Sequence, residues 1–242
     1  MKKQNEVKRL SKSKSNQIPL RVPEGEAIDD HEEMSIEELN QQFKKRVREY
    51  RHFAEFILND LKLEDNSKVL EIGPGPAWIS IILVKENPSI RLTGLEISKD
   101  MIRIANQNIK DEGVEEYITF IEGNAQDLSM FENGSFDAVI THDSLHHWEQ
   151  PLVIFNEIAR VLKEDGVLCI GDGRRDLKLG AKIIFQIAKL FISKQMSYYW
   201  GTSIRASYTP DEIIKMLDLT NLKGKYELKK DIFDIIIHNK QK

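Results

Sequence analysis

The chain has a single cysteine, Cys169, in 242 residues. An internal disulfide framework is excluded, and a reducing compartment fits. No apolar run approaches the roughly 18 residues that a membrane-crossing helix needs, so no span is expected. The basic N-terminus is not followed by an apolar stretch, which argues against a secretory signal. The chain therefore reads as cytoplasmic. Positive charge is not in excess: the net charge is −4, which gives no general attraction to nucleic acid. There is no internal repeat. What remains is a composition of 40% apolar and 31% charged residues, that of a soluble globular protein with room for one domain and additions.

The most informative stretch is 69–78, VLEIGPGPAW. Val69-Leu70 begins an apolar run short enough for a buried strand. Glu71 stands where that strand ends. Gly73 and Gly75 follow, with Pro74 and Pro76 stiffening the turn, and Trp78-Ile79 and Ile81-Ile82 open a helix. Strand, glycine turn and helix make half of a nucleotide-binding βαβ unit. Glycines there allow close approach of a ligand, and the helix N-terminus offers unpaired N–H groups. The dinucleotide fingerprint G-x-G-x-x-G needs a third glycine for close helix–strand packing. Trp78 occupies that place, and an indole cannot serve. An acid two residues before the first glycine would also repel a pyrophosphate, whereas it suits a ligand with a cationic end. For this stretch alone, an ordinary tight turn is the competing reading.

These residues resemble the class I S-adenosylmethionine-dependent methyltransferases, whose first motif is E/D-x-G-x-G-x-G. Glu71, Gly73 and Gly75 match, and Ala77 replaces the last glycine. Further blocks follow in order. Residues 90–96 read as a second strand ending on Glu96, an acid placed to accept hydrogen bonds from ribose hydroxyls, with Ile97 beside it. Residues 117–122 read as a third strand leading to Gly123-Asn124-Ala125. The family commonly has G-D-A there; Asn124 keeps an acceptor for an adenine amine but loses the charge, and turn chemistry is its plainer role. Residues 136–141 are a fourth strand. His142 to Trp148 then resembles the S-x-x-L-H-H-W/L block that lines the methionine end of the cofactor and begins the substrate pocket. Three His and one Asp in this run match no specific metal spacing, so no metal is expected. A helix from Pro151 and a strand over 167–171 lead to Asp172-Gly173-Arg174-Arg175-Asp176, similar to a D-L-R-R-D run in one uncharacterised branch of the family.

Elsewhere the pattern gives a Lys- and Ser-rich tail over 1–16, expected to be disordered, and an acidic stretch over 24–33. A capping box of Ser35 and Glu38 starts a helix running to about Asn59. Ser98 and Thr209 are helix caps, and the last two strands fall over 225–229 and 232–238. The helix over 177–192 is apolar on more than one face. It is expected to be buried between the sheet and the N-terminal cap or a partner subunit, which leaves a homodimer open. After it, Tyr198, Tyr199, Trp200 and Tyr208, with Arg205, are expected to wall an acceptor pocket, a core helix being the rival reading.

The resemblance implies a Rossmann-like α/β three-layer sandwich: a seven-stranded, mostly parallel sheet with an antiparallel last strand, plus an N-terminal helical cap. The expected division is a tail over 1–30, a cap over 31–66 and a cofactor-binding domain over 67–242, with a substrate-site segment over 173–208. The implied cofactor is S-adenosyl-L-methionine, held by Glu71, Gly73, Gly75, Glu96, Ile97, Asn124, Ala125 and His142. The implied reaction is methyl transfer to a small molecule, with no nucleic-acid partner. His142, His146 and Asp172 are the candidate catalytic residues, with Asp143 and His147 near them. The alternatives are a non-catalytic S-adenosylmethionine-binding protein and a nicotinamide-dependent oxidoreductase.

Overall fold

The computed structural model describes residues 20–23 and 34–240. The basic 1–16 and acidic 24–33 stretches lie outside the described residues. Seven strands form one sheet: β1 (Lys68–Ile72), β2 (Arg91–Glu96), β3 (Ile118–Glu122), β4 (Phe136–His142), β5 (Leu162–Gly173), β6 (Tyr226–Lys230) and β7 (Asp234–Asn239), in the order β3-β2-β1-β4-β5-β7-β6. Strands β1 to β5 pair in parallel, and β7 runs antiparallel to both its neighbours. The Rossmann-like architecture implied by the motif order is the one the chain adopts. Strand β5 begins earlier than expected, at Leu162, with a register shift opposite Phe136 and Ala138.

The described helices are α1 (Ile36–Lys45), α2 (Val47–Glu55), α3 (Trp78–Glu86), α4 (Lys99–Asp111), α5 (Pro151–Val161), α6 (Leu179–Ala188), α7 (Lys194–Ala206) and α8 (Pro210–Leu217). They cover both faces of the sheet. Val69, Ala138, Ile140 and Cys169 pack with α2, α3 and α4 on one side. Leu70, Ile72, Val139, Leu168 and Ile170 pack with α5 and α8 on the other. Strands buried on both faces have to be apolar throughout, which is why they read as runs rather than alternations. The helix starts follow their local chemistry. Ser35 and Glu38 form the expected capping box, Ser98 Oγ accepts from Met101 N, and Thr209 caps α8 with Glu212.

The N-terminal helix is not continuous to Asn59. It breaks at Arg46, which ends α1 and starts α2, and α2 passes into a π-turn over Phe56–Asp60. The periodicity missed the break because Arg46 has no capping side chain to announce it. Its guanidinium instead reaches across to the end of β4, as described below. Helix α2 packs on α3, and α1 on α4. This second contact is polar: Asn108, 6% exposed, donates to Pro76 O (2.8 Å) and to Asn40 Oδ1 (3.0 Å), and Asn40 Oδ1 also accepts from Trp78 Nε1 (3.0 Å).

The expected burial of the 177–192 helix is not what the structure shows. In α6 only Ala181 is buried. Leu179, Ile183, Ile184 and Ile187 are exposed, as are Leu190 and Phe191 in the 3₁₀ turn that follows. The physical reason is where the cap goes. Asn40 and Glu37 tie α1 to α4, through Asn108 and Arg103, so α1 does not lie over α6. The inner face of α6 meets α7, where Phe185 stacks on Trp200 at 6.2 Å between centroids.

Removing a buried amide that satisfies a backbone carbonyl costs on the order of 1–3 kcal/mol. Asn108→Ala is expected to lower unfolding free energy by about that amount in urea denaturation. Asn106→Ala, on the exposed side of the same helix, is expected to stay within about 0.5 kcal/mol of the parent. Equal effects would show that the Asn40–Asn108–Trp78 bridge does not hold the cap.

Candidate cofactor and acceptor site

At the carboxyl end of β1 the chain turns through left-handed backbone: Gly73 at φ +65°, Gly75 at +52° and Ala77 at +65°. At Gly73 a Cβ would lie 2.5 Å from Ser144 Oγ, so a side chain there would push the β1 turn away from the segment after β4. At Gly75 a Cβ would meet nothing within 4 Å, because that residue faces open space. Ala77 adopts a conformation that costs a non-glycine residue about 1–2 kcal/mol. It is fully buried, so a larger residue would have no room.

The open space is a cavity of about 460 Å³. Glu71, Gly73, Gly75, Glu96, Ile97, Asn124, Ala125 and His142 all line it; the sequence had gathered them from four separate strand ends. Glu96 Oε2 accepts from Gly75 N at 3.1 Å and Oε1 from Ser98 N at 2.9 Å. Two backbone donors thus fix the carboxylate while it keeps lone pairs for a ligand's hydroxyls. Ile97, 67% exposed, offers an apolar surface beside it. Asn124 Oδ1 accepts from Gln126 N at 2.9 Å. The turn role is therefore real, and one lone pair of that oxygen is left for an amine.

Glu71 is 2% exposed and accepts from Ser80 Oγ. Burial pushes its carboxyl up to about 7, with the Ser80 hydrogen bond and the His142 ring opposing the rise. A cationic ligand group in the cavity would favour its ionised form.

The other end of the cavity is closed by α1, α2 and the residues after β4. Asp143 sits at φ +53°, a strained setting that aspartate tolerates better than most residues. Its Oδ2 lies 2.6 Å from Arg46 Nη1 and 3.4 Å from His142 Nδ1, as ion pairs without hydrogen-bond alignment. Arg46 also bonds Glu49. Burial opposes ionisation of Asp143, but His142 and Arg46 prevail and hold its carboxyl far below the usual range. Burial likewise opposes a charged His142, yet Asp143 outweighs it and raises the imidazole above its ordinary value. The His142 ring is wedged edge-on against Phe53 and Tyr50, at 4.7 and 5.7 Å between centroids. Ligand atoms of Glu49, His142 and Asp143 lie within 4.8 Å of one another, but the cation they face is the Arg46 guanidinium.

His146 and Asp172 are set apart from His142. His146 Nδ1 is 2.7 Å from Asp172 Oδ1, and His146 N donates to Asp172 Oδ2 at 2.8 Å. Both residues are buried and neither lines the cavity; the pair ties the end of β5 to the 3₁₀ turn Leu145–His147. Tyr198, Tyr199, Trp200, Arg205 and Tyr208 do not line the cavity either. Tyr199 Oη accepts from Met34 N, and Tyr208 lies under the Arg21 guanidinium. Sequence reasoning missed Arg46 and Ser80. The cap's apolar residues Phe43 and Tyr50 reach the cavity, and Arg46, three residues from one and four from the other, shares their helical face; that spacing was the available signal.

Residues 70–170 match a family described as "Methyltransferase domain". Erythromycin 3''-O-methyltransferase of Saccharopolyspora erythraea is 29% identical over 137 residues, 57% of this chain and 41% of that protein. Demethylmenaquinone methyltransferase of Lactococcus lactis is 33% identical over 132 residues, 51% of this chain and 52% of that protein. The chain thus spans about half the length of these curated relatives. In fold it is similar to a SAM dependent methyltransferase from Aquifex aeolicus, with a TM-score of 0.63, 13% identity and coverage of 86% of this chain and 98% of that one.

The buried Glu71 gives a pH signature. Its folded value of about 7 stands above the ordinary 4.5, so between these values the folded state keeps a proton that the unfolded state has lost. Stability of the unliganded protein therefore falls as pH rises from about 4.5 to about 7, by up to a few kcal/mol, and this contribution is level above that window. Urea unfolding across pH 4.5–8 is expected to show this decline in the parent and a flatter curve in Glu71→Gln. Parallel curves would mean that Glu71 titrates normally.

Proposed function

We propose that this chain is a class I S-adenosylmethionine-dependent methyltransferase, a reading its matched domain and its fold support, and that it transfers a methyl group to a small-molecule acceptor. The observation that carries the reading is the single cavity joining the positive-φ glycine turn, the Glu96 carboxylate and the His142–Asp143 strand end beneath a helical cap. Its chemistry fits S-adenosyl-L-methionine: open space over Gly75, acceptors for ribose at Glu96, an apolar surface at Ile97, an amide at Asn124 and a buried acid at Glu71. When bound, the cofactor supplies an electrophilic methyl carbon on a sulfonium.

The protein's share is binding, orientation and exclusion of water. Phe43, Tyr50 and Trp78 from the cap side and the first turn of α3 shield the cavity. Of the three candidate catalytic residues, His142 alone lines it. Accepting a proton requires its neutral imidazole, a form that Asp143 disfavours. The resting role of His142 is thus to balance Asp143, and positioning carries most of the rate. His146 and Asp172 are positioning residues that hold the turn after β4. The lack of excess positive charge supports a metabolite rather than a nucleic acid as acceptor. The reduced, buried Cys169 supports a cytoplasmic setting; among the described residues no helix is long and apolar enough to cross a membrane.

Loss of two hydrogen-bond acceptors to a ligand costs about 1–3 kcal/mol. Glu96→Ala is expected to weaken S-adenosylmethionine binding at least tenfold by calorimetry. Gly75→Val, which fills the open space on strained backbone, is expected to weaken it further. Unchanged affinity in both variants would remove the cofactor assignment. With isotope-labelled cofactor and a metabolite extract, label is expected in a small molecule; incorporation only into bulk RNA would overturn the acceptor class.

A further inference from the structure

Among the described residues, the large apolar side chains of α6 and its following turn are exposed, and their arrangement is ordered. At 100° per residue, Leu179, Ile183, Ile184 and Ile187 of α6 fall within an arc of about 140°, and Leu190 and Phe191 follow in the 3₁₀ turn. All six are exposed, Leu190 at 79% and Phe191 at 82%. Ala181 and Phe185, on the other side, face the protein. By helical spacing Lys178, which is exposed, and Lys182 and Lys189, which are half-buried, fall on one flank, between the exposed arc and the buried side. Lys189 Nζ lies 5.6 Å from the Phe185 ring, so its stem covers the α6–α7 contact.

The charge of this region differs from that of the rest of the chain. From 177 to 210 there are five cations, Lys178, Lys182, Lys189, Lys194 and Arg205, and no acid, in a chain of net charge −4. A contact between two copies through this face would bring these cations together. A neutral apolar partner would not need them. An anionic lipid surface answers both features, since an amphipathic helix with basic flanks lies in the headgroup plane with its apolar face in the acyl boundary. Lysine stems are long enough to keep their ammonium groups at the phosphates while the leucine and phenylalanine side chains insert.

We propose that the face formed by α6 and its 3₁₀ turn is a reversible docking surface for anionic lipid bilayers. Leu190 and Phe191 insert, and Lys178, Lys182 and Lys189 supply the electrostatic contact. The helix follows β5, and the carboxyl ends of the neighbouring strands hold the cavity. The inference does not depend on the methyl-transfer reading.

The test is co-sedimentation of the full chain with vesicles of phosphatidylcholine alone or of phosphatidylcholine and phosphatidylserine. Each basic residue near an anionic surface contributes about 1 kcal/mol, roughly fivefold in partitioning. Binding to the mixed vesicles is expected to exceed binding to the neutral ones at least tenfold and to fall with added salt. Lys178→Gln/Lys182→Gln/Lys189→Gln is expected to lose roughly 100-fold. Leu190→Ser/Phe191→Ser is expected to lose binding to both vesicle types. These side chains lie outside the cavity, so Tm and S-adenosylmethionine affinity are expected to hold in both variants, which separates lost docking from lost folding. No partitioning of the parent, or equal partitioning to neutral and anionic vesicles, would overturn the proposal. So would a dimer in sedimentation equilibrium that Leu190→Ser/Phe191→Ser dissociates, since the occupant would then be a second copy.

Discussion

The reversal of strand order at β1 is the constraint on which the rest of the molecule depends. In the order β3-β2-β1-β4-β5, the chain leaving β1 goes to α3 on one face, and the chain leaving β4 goes on to α5 on the other. Two neighbouring parallel strands whose exits diverge leave a crevice between them, and ligands of open α/β sheets bind there. The crevice is narrow at its floor. Gly73 approaches Ser144 so closely that a single added Cβ would collide with its hydroxyl. The positive-φ turn follows from that approach: the backbone has to leave β1 sharply and return into α3 without a side chain in the gap.

Glu96, Glu71 and Asp143 converge on this crevice, and the structure treats each differently. Glu96 is held by two backbone amides and remains available to a ligand. Glu71 is buried with one hydroxyl partner and is pushed toward its neutral form. Asp143 is only half-buried and is kept ionised by Arg46 and His142. Environment rather than residue type decides the charge. The cavity thus combines a fixed carboxylate, a carboxyl whose proton a cationic ligand can displace, and a carboxylate whose charge is already balanced by the cap. The break at Arg46 belongs to this arrangement. A helix continued straight through would still have offered an arginine on that face, but the kink lets α1 reach α4 and α2 reach α3 while the guanidinium meets Asp143.

The sheet was legible in the sequence because each strand announces itself twice, once as an apolar run and once by the turn residues after it. The glycine-turn end of the cavity was legible for a related reason: Gly73, Gly75, Glu96 and Asn124 each stand at the end of a strand or within three residues after it, where position along the chain fixes position in space. The end under the cap was not. Tyr50 lines it and Arg46 pairs with Asp143 beside it, both on helices whose placement depends on long-range contacts to Asn108 and Asp143, and no local pattern encodes those. His146 and Asp172 looked like candidate bases from their strand-end positions, yet they face each other rather than the cavity. Strand-end position gives location but not side-chain direction. The apolar periodicity of 177–192 was read correctly as an apolar helix and incorrectly as a buried one, since hydrophobicity states what a face favours and not whether the fold covers it.

That uncovered face and the cap are two consequences of one choice of packing. Among the described residues, α1 spends its polar contacts on α4 and the glycine turn, through Asn40, Asn108 and Trp78. Those contacts shield the glycine-turn end of the crevice. A cap laid over α6 instead would have buried six large apolar side chains, each worth about 1.5–3 kcal/mol on full burial, and would have left Trp78 and the turn open to water. The adopted arrangement has its own burial, since Tyr50, Phe53, Ala54 and Ile57 of the cap lie in the core. That apolar contact, the amide network and the Arg46–Asp143 pair hold the cap over the cavity, and among the described residues α6 keeps an apolar, lysine-flanked surface that no other element covers.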